Sequence, residues 1–377
     1  MPKLDFIFFD AGGGHRSAAT ALKMVIEREG RPWDVRLVNL QELFDRLDFV
    51  RALTGVRVQD QYNRLLASGM TAGSRMMIPP LQAVIRALHG KQVKLLQAFW
   101  ASDPPDLVVS LIPHFNRALF QASKAVAPRS EMVTVMTDLA DYPPHFWLER
   151  QDQYVVCGTE KAVQQACLTG YRPERILRTS GMILHPRFYD PIPRDRGEAR
   201  RALGLHPDRP TGLVLFGGHG SRAMLGIVKR LDASGLDLQL ILICGHNTRL
   251  HTKLRNLATE MPKFVEGFTL EIPYYMHISD FFIGKPGPGS VSEALSKHLP
   301  VIVERNARTL PQERYNTEWV REQGVGLVVK NFTRISDAVR TLLAPGEYEQ
   351  FRARAAALNN RAVFEIPAML ERILNSC

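Results

Sequence analysis

The chain has 377 residues, 45% hydrophobic and 23% charged, which excludes a disordered polypeptide and calls for more than one hydrophobic core. No run of about 18 apolar residues occurs, so no transmembrane helix is expected. The net charge of +10 suits an anionic substrate, an anionic lipid surface or nucleic acid. Lys and Arg are dispersed without interleaved aromatics, which argues against nucleic acid.

LDFIFF at residues 4–9 predicts a first buried strand, and its Asp and the glycine loop behind it argue against a signal peptide. The loop Asp10-Ala11-Gly12-Gly13-Gly14-His15 follows, then a helix over 17–29. Consecutive glycines let backbone approach a ligand, and a helix start offers free N–H groups and positive potential. That potential keeps His15 neutral, as a general base requires. Asp10 either orients His15 or caps the turn. Further strands are expected at 34–40, 106–112, 131–137 and 153–157. Apolar runs of this kind, separated by helices, predict a parallel sheet covered on both faces. Residues 45–100 break the pattern. Met76, Met77, Ile78 and Leu81 lie beside Arg75, Arg86, Lys91 and Lys94, which reads either as a basic amphipathic surface for an anionic leaflet or as a core helix with a solvated face. The scattered Cys157, Cys167, Cys244 and Cys377 have no metal-ligand spacing and are expected as reduced thiols in a cytosolic protein.

The Pro-rich segment 190–200 predicts a linker. Beyond it the alternation restarts, with strands expected at 211–216, 238–244, 280–284, 299–304 and 324–329. The repeated layout predicts two doubly wound, Rossmann-like α/β domains facing across a cleft: 1–190, 191–345, and a helical tail 346–377 packing back across the junction. The second domain has its own glycine loops. Phe216-Gly217-Gly218-His219-Gly220-Ser221 follows a strand and could cradle phosphate. Gly284-Lys285-Pro286-Gly287-Pro288-Gly289-Ser290 opens a helix that contains Glu293. Ser290 and Glu293 stand at capping-box spacing, so Glu293 either satisfies a backbone N–H or accepts from ribose hydroxyls. Gln312, Glu313 and Asn316 offer donors and acceptors suited to a sugar, or else a solvated helix start.

The order of DAGGGHRSAATAL, VTVMTDLADYPPHFW, CGTEKAV, TSGMILHPRFY, LFGGHGS, ICGHN, VEGF, GKPGPGSVSEALSKHLPVIV and PQERYN resembles glycosyltransferase family 28. Within that family it is most similar to the monogalactosyldiacylglycerol synthases and processive diacylglycerol glucosyltransferases. The resemblance spans residues 4–345. It implies the GT-B fold and inverting transfer of a hexose from a UDP-sugar to a lipid acceptor such as diacylglycerol. It further implies no cofactor, no metal, and peripheral association with the inner face of a membrane. On this resemblance His15 is the base and Asp138 a polar partner on the acceptor side, with Gly13, Gly14, His145 and Trp147 nearby. Gly217, Gly218, His219, Gly287, Gly289 and Ser290 would meet the diphosphate. Phe268 would line the uracil pocket, Glu293 would hold the ribose, and Gln312, Glu313 and Asn316 would read the hexose. A transferase with a soluble acceptor and a UDP-sugar epimerase share the architecture and remain alternatives.

Overall fold

The structure is a computed structural model that describes residues 1–10, 14–44, 82–307 and 309–376. The chain divides into two compact units. The first comprises residues 1–186, 310–312 and 360–377; the second comprises 187–309 and 313–359.

In the first unit the strands are β1 (Lys3–Phe8), β2 (Asp34–Asn39), β3 (Leu107–Ser110), β4 (Glu131–Val135), β5 (Tyr154–Cys157) and β6 (Ile176–Arg178). They form one sheet in the order β2-β1-β3-β4-β5-β6, and every pairing is parallel. Helices connect them, except that β4 and β5 are joined by the non-helical segment 136–153. Leu4, Phe6 and Ile7 of β1 are fully buried, as are Leu107, Val108 and Val109 of β3. Asp5 is buried as well, and it is compensated: Arg36, its register partner on β2, donates to both carboxylate oxygens at 2.8 and 2.7 Å, and Trp100 Nε1 donates at 2.8 Å. Bidentate pairing of this sort is what lets a charge stay inside a sheet.

The second unit contains β7 (Thr211–Leu215), β8 (Gln239–Ile243), β9 (Lys263–Glu266), β10 (Phe281–Gly284), β11 (Val301–Glu304) and β12 (Gly326–Val329). Their order is β12-β11-β10-β7-β8-β9, again wholly parallel. Arg200, buried, donates to the Ile278 carbonyl and to Asp280, and Arg196 also pairs with Asp280; together they fasten the helix Arg196–Ala202 to the start of β10. The expected strands are present. The additional β6 and β9 are edge strands of three and four residues, where half-exposed, charged sequences carry no buried-strand signal.

Of the segment 45–100, residues 45–81, including Arg75, Met76, Met77, Ile78 and Leu81, lie outside the described residues. The helix His89–Trp100 buries Gln92, Leu96 and Trp100 in the first core, with Lys91 and Lys94 in solvent. This part of the segment is a core helix with a solvated face, because Leu96 and Trp100 repeat at helical spacing toward the sheet. The tail is two helices. Glu347–Ala357 belongs to the second unit, and Ala362–Leu374 to the first. The latter buries Val363, Ile366, Leu370 and Ile373; it packs against the helix Gly14–Arg28, and Arg31 pairs with Glu371 at 3.0 Å. Among the described residues no helix is long and apolar enough to cross a membrane.

Candidate active site

Each sheet has one point where the strand order reverses, between β1 and β3 in the first unit and between β7 and β10 in the second. Loops leaving the carboxyl ends of strands diverge there, which opens a crevice. The sequence motifs fall on both crevices.

In the first unit, β1 delivers Asp10 and the helix that begins at Gly14, with His15 in its first turn. Gly12 and Gly13 lie outside the described residues; Gly14 is exposed, with open space where a Cβ would stand. His15 Nδ1 shares a hydrogen bond of 3.1 Å with Thr137 Oγ1. Burial pushes the pKa of His15 down to about 4, against an opposing hydrogen bond to the backbone of Leu111. The ring is therefore neutral at physiological pH and keeps a lone pair for a proton. Asp10 forms an ion pair with Arg16 at 2.7 Å.

Asp138 is 8% exposed and accepts from Trp147 Nε1 at 2.9 Å. Trp147 is 0% exposed, so its indole fixes Asp138 from within, and its ring lies 5.9 Å from that of His15. His145 is exposed on the same loop with φ +63°. What shapes this loop is Asp141, which sequence reasoning passed over. The backbone N–H groups of His145 and Trp147 donate to its two carboxylate oxygens at 2.8 and 2.6 Å. Burial raises the Asp141 pKa while these N–H donors lower it. An Asp just before Pro-Pro was the available signal, since its side chain is the natural cap for a turn that lacks its own donors. His114 was also missed. It sits after β3 at φ +72°, its pKa pushed by burial down to about 4, edge-on to Phe146 at 4.3 Å. A non-glycine residue held there marks backbone imposed by its surroundings.

In the second unit, the loops after β7 and β10 flank the reversal. Gly217 has φ +71°, and a Cβ on it would stand 3.6 Å from Lys285 Cε; the same methylene lies 3.5 Å from the Cβ position of Gly287. Lys285 thus lies beside both glycine loops. Its ammonium pairs with Glu313 at 3.5 Å. Gly284 has no room for a side chain: a Cβ would approach the Leu215 carbonyl at 2.5 Å.

The helix Pro288–Ser296 has Gly287 as its N-cap, with no side-chain cap. Gly289 is exposed and Ser290 half-buried. The capping-box alternative for Glu293 is thereby corrected: Pro288 occupies the first helical position, as its fixed φ favours, so Glu293 lies a full turn too deep to reach the N-cap. Among the described residues its carboxyl has no hydrogen-bond partner, and desolvation pushes its pKa up to about 7. Glu313 is 8% exposed and engaged by Lys285. Asn316 is 0% exposed and donates to the Pro286 carbonyl at 2.7 Å, which pins the Gly-Pro loop from beneath. Gln312 is half-buried in the turn Pro311–Glu313. Asn316→Ala is expected to cost about 1–3 kcal/mol of stability and to weaken nucleotide binding as the loop loosens. Urea unfolding and a nucleotide titration read both effects.

Phe268 is 54% exposed and stacks on His246 with centroids 3.9 Å apart and planes 16° from parallel. His219, exposed, lies 6.1 Å from His246. His246 was missed because its motif, ICGHN, reads as an ordinary strand end.

The model of the Glycosyltransferase family 28 C-terminal domain matches residues 213–365. That match covers most of the second unit. The glycine loops of the second unit, Glu293 and the Gln312–Asn316 cluster lie within the family 28 match. Over the longer chain, a probable monogalactosyldiacylglycerol synthase of Nicotiana tabacum is 26% identical over 92% of this chain. The monogalactosyldiacylglycerol synthase of Spinacia oleracea is 26% identical over 97%. The chain spans 65% and 71% of those two relatives' lengths. Among solved structures, the calicheamicin glycosyltransferase CalG4 superposes with a TM-score of 0.62 at 16% identity, over 99% of this chain and 98% of that one. S. aureus MnaA, in a co-structure with UDP, gives 0.61 at 16% identity over 100% and 97%. The fold is therefore GT-B, two parallel six-stranded sheets with interleaved helices.

Proposed function

We propose that this chain is an inverting hexosyltransferase that moves a hexose from a UDP-sugar to the hydroxyl of a lipid such as diacylglycerol at a membrane surface. The family 28 match and the galactolipid-synthase relatives support hexosyl transfer. The observation that carries the donor half is Glu293, an unpartnered carboxyl on the helix that opens beneath the Gly-Pro loop. It accepts the two ribose hydroxyls, while the N–H groups of Gly287, Gly289 and Ser290 and the Lys285 ammonium face the diphosphate. Gly217, Gly218 and His219 approach the phosphates from the other loop, and Phe268 on His246 stacks the uracil. Gln312 and Glu313 contact the hexose, and Asn316 acts beneath them by holding the loop.

The first unit supplies the acceptor half. The acceptor oxygen attacks the anomeric carbon, the bond from that carbon to the diphosphate oxygen breaks, and the acceptor proton passes to neutral His15. Asp138 and its indole partner Trp147 keep the surrounding loop in place, with Gly13, Gly14 and His145 on the acceptor side. UDP leaves with its added charge stabilised by fixed backbone dipoles and Lys285. No resident cofactor or metal enters this scheme. The protein works peripherally at the inner, anionic face of the membrane, and nucleic acid is not a partner.

The test is a panel of UDP-hexoses offered with diacylglycerol in anionic and neutral vesicles, with product mass as the readout. Transfer only to water-soluble alcohols would replace the lipid, and donor isomerisation without any acceptor would replace the transfer by epimerisation.

Glu293 also sets a pH dependence. Its pKa is raised to about 7, and accepting ribose hydroxyls favours the ionised form, so donor binding releases a proton. Affinity for UDP-hexose is expected to fall up to about tenfold per pH unit below about 7 and to level off above it. Calorimetry on wild type and Glu293→Gln checks this, because the variant is expected to bind weakly with a flat profile. A wild-type profile as flat as the variant's sinks the assignment.

A further inference from the structure

The carboxyl ends of β11 and β12 hold an open cavity of about 480 Å³ that no step of the proposed reaction uses. Arg305, Arg314, Arg321 and Lys330 line it with Asn306 and Val329, and no acidic side chain does. Arg305 and Asn306 follow β11, Lys330 follows β12, and Arg314 and Arg321 stand at opposite ends of the helix Arg314–Gln323. Two strands and a helix thus aim four cations into one concavity at the edge of the second sheet.

Like charges gathered this closely repel, and the fold offsets little of it. Arg305 pairs with Glu318 at 2.7 Å. Arg314 Nε donates only to the Thr309 carbonyl and Arg321 Nη2 only to the Val328 carbonyl, each at 3.4 Å. Both guanidinium groups keep further N–H donors for another acceptor. Lys330 is exposed, with no acidic partner among the described residues. Walls of one sign focus potential into a cavity, and guanidinium forks match phosphate oxygens two at a time.

We propose that this cavity binds a phosphate-bearing anion at a site separate from the sugar-nucleotide donor. The separation follows from topology. The donor loops leave β7 and β10 at the strand-order reversal, whereas Lys330 follows the edge strand β12 and Arg321 stands on the helix away from its Glu313 end; Arg314 is the wall nearest the donor loops. Two sources present the same chemistry, the headgroup of an anionic phospholipid and a soluble phosphate ester. The volume accommodates either.

The experiment uses the full chain with its donor site saturated by UDP-hexose. Inorganic pyrophosphate is titrated into wild type and into the double variant Arg321→Glu/Lys330→Glu, and both proteins are sedimented with phosphatidate-bearing and pure phosphatidylcholine vesicles. The expected result is at least a tenfold loss in the variant of pyrophosphate binding, of phosphatidate-dependent sedimentation, or of both, with UDP-hexose binding unchanged. Loss confined to vesicles identifies the headgroup as the source; loss confined to pyrophosphate identifies a soluble ester. If the charge-reversed chain fails to bind UDP-hexose, Arg321→Gln/Lys330→Gln replaces it, with the same reading. Wild type that takes up neither probe under saturating donor, or a folded variant that takes up both equally well, overturns the proposal.

Discussion

His15→Ala is expected to lower kcat about 10²- to 10⁴-fold while leaving the KM for UDP-hexose nearly unchanged, the range that a positioned general base supplies. Three observations converge on this residue. It stands in the first turn of the helix behind β1, where the helix dipole opposes a positive ring. Thr137 holds Nδ1 at 3.1 Å, which fixes the plane of the imidazole. Burial lowers its pKa to about 4, so the base is already deprotonated at neutral pH. The sign of the pH effect follows. With donor saturating, kcat stays flat as pH falls through 6 and declines only as His15 takes up its proton at about 4. The limb near 7 belongs to Glu293 and shows only in donor binding. A pH-rate profile under saturating donor separates the two. The role is lost if the alanine variant keeps more than a tenth of wild-type kcat, or if its acid limb coincides with that of wild type.

The second large effect is expected from Gly245→Ala, in the turn after β8. Gly245 follows β8 at φ +58°, and a Cβ there would lie 2.1 Å from the Gly218 carbonyl oxygen. His246 N–H donates to that same carbonyl at 2.8 Å, so the turn after β8 is the mould against which the Gly217–Gly218 loop is set. Alanine would carry the strain of a left-handed conformation and force backbone away from backbone. A loss of roughly 2–4 kcal/mol in stability is expected, with UDP affinity weakened at least tenfold at temperatures where the variant stays folded. Thermal unfolding measured with and without UDP separates the effects. Unchanged affinity in the folded variant would mean that the glycine loop does not contact phosphate.

The buried strands were legible because β1, β3, β7, β8 and β10 are short runs of Leu, Ile, Val and Phe covered on both faces. The edge strands β6 and β9 were not, since Arg178 and Lys263 sit where only one neighbour pairs with the backbone. The donor motifs were legible in place but less so in role. Pro288 starts its helix two residues before Ser290, which frees Glu293 from the capping box that its spacing suggests. Asn316 and Trp147 looked like contacts and prove to be buried supports, a distinction that depends on burial and that side-chain chemistry alone does not carry. Lys285 stood in plain sight within the Gly-Pro motif, yet its position beside both loops depends on β7 and β10 being neighbours, which no local spacing encodes. Asp141, His114 and His246 act through loop geometry and left only faint marks in the sequence.

The helix Ala362–Leu374 belongs to the first unit, although the whole of the second unit precedes it in the chain. On the ribosome, residues 187–359 therefore emerge and can mature while the amino-terminal half still lacks its closing helix. Until residues 362–374 have been made, the apolar flank of Gly14–Arg28, the element bearing His15, waits uncovered. A nascent chain stalled before residue 362 would carry a finished second unit and an unfinished first unit that chaperones would recognise.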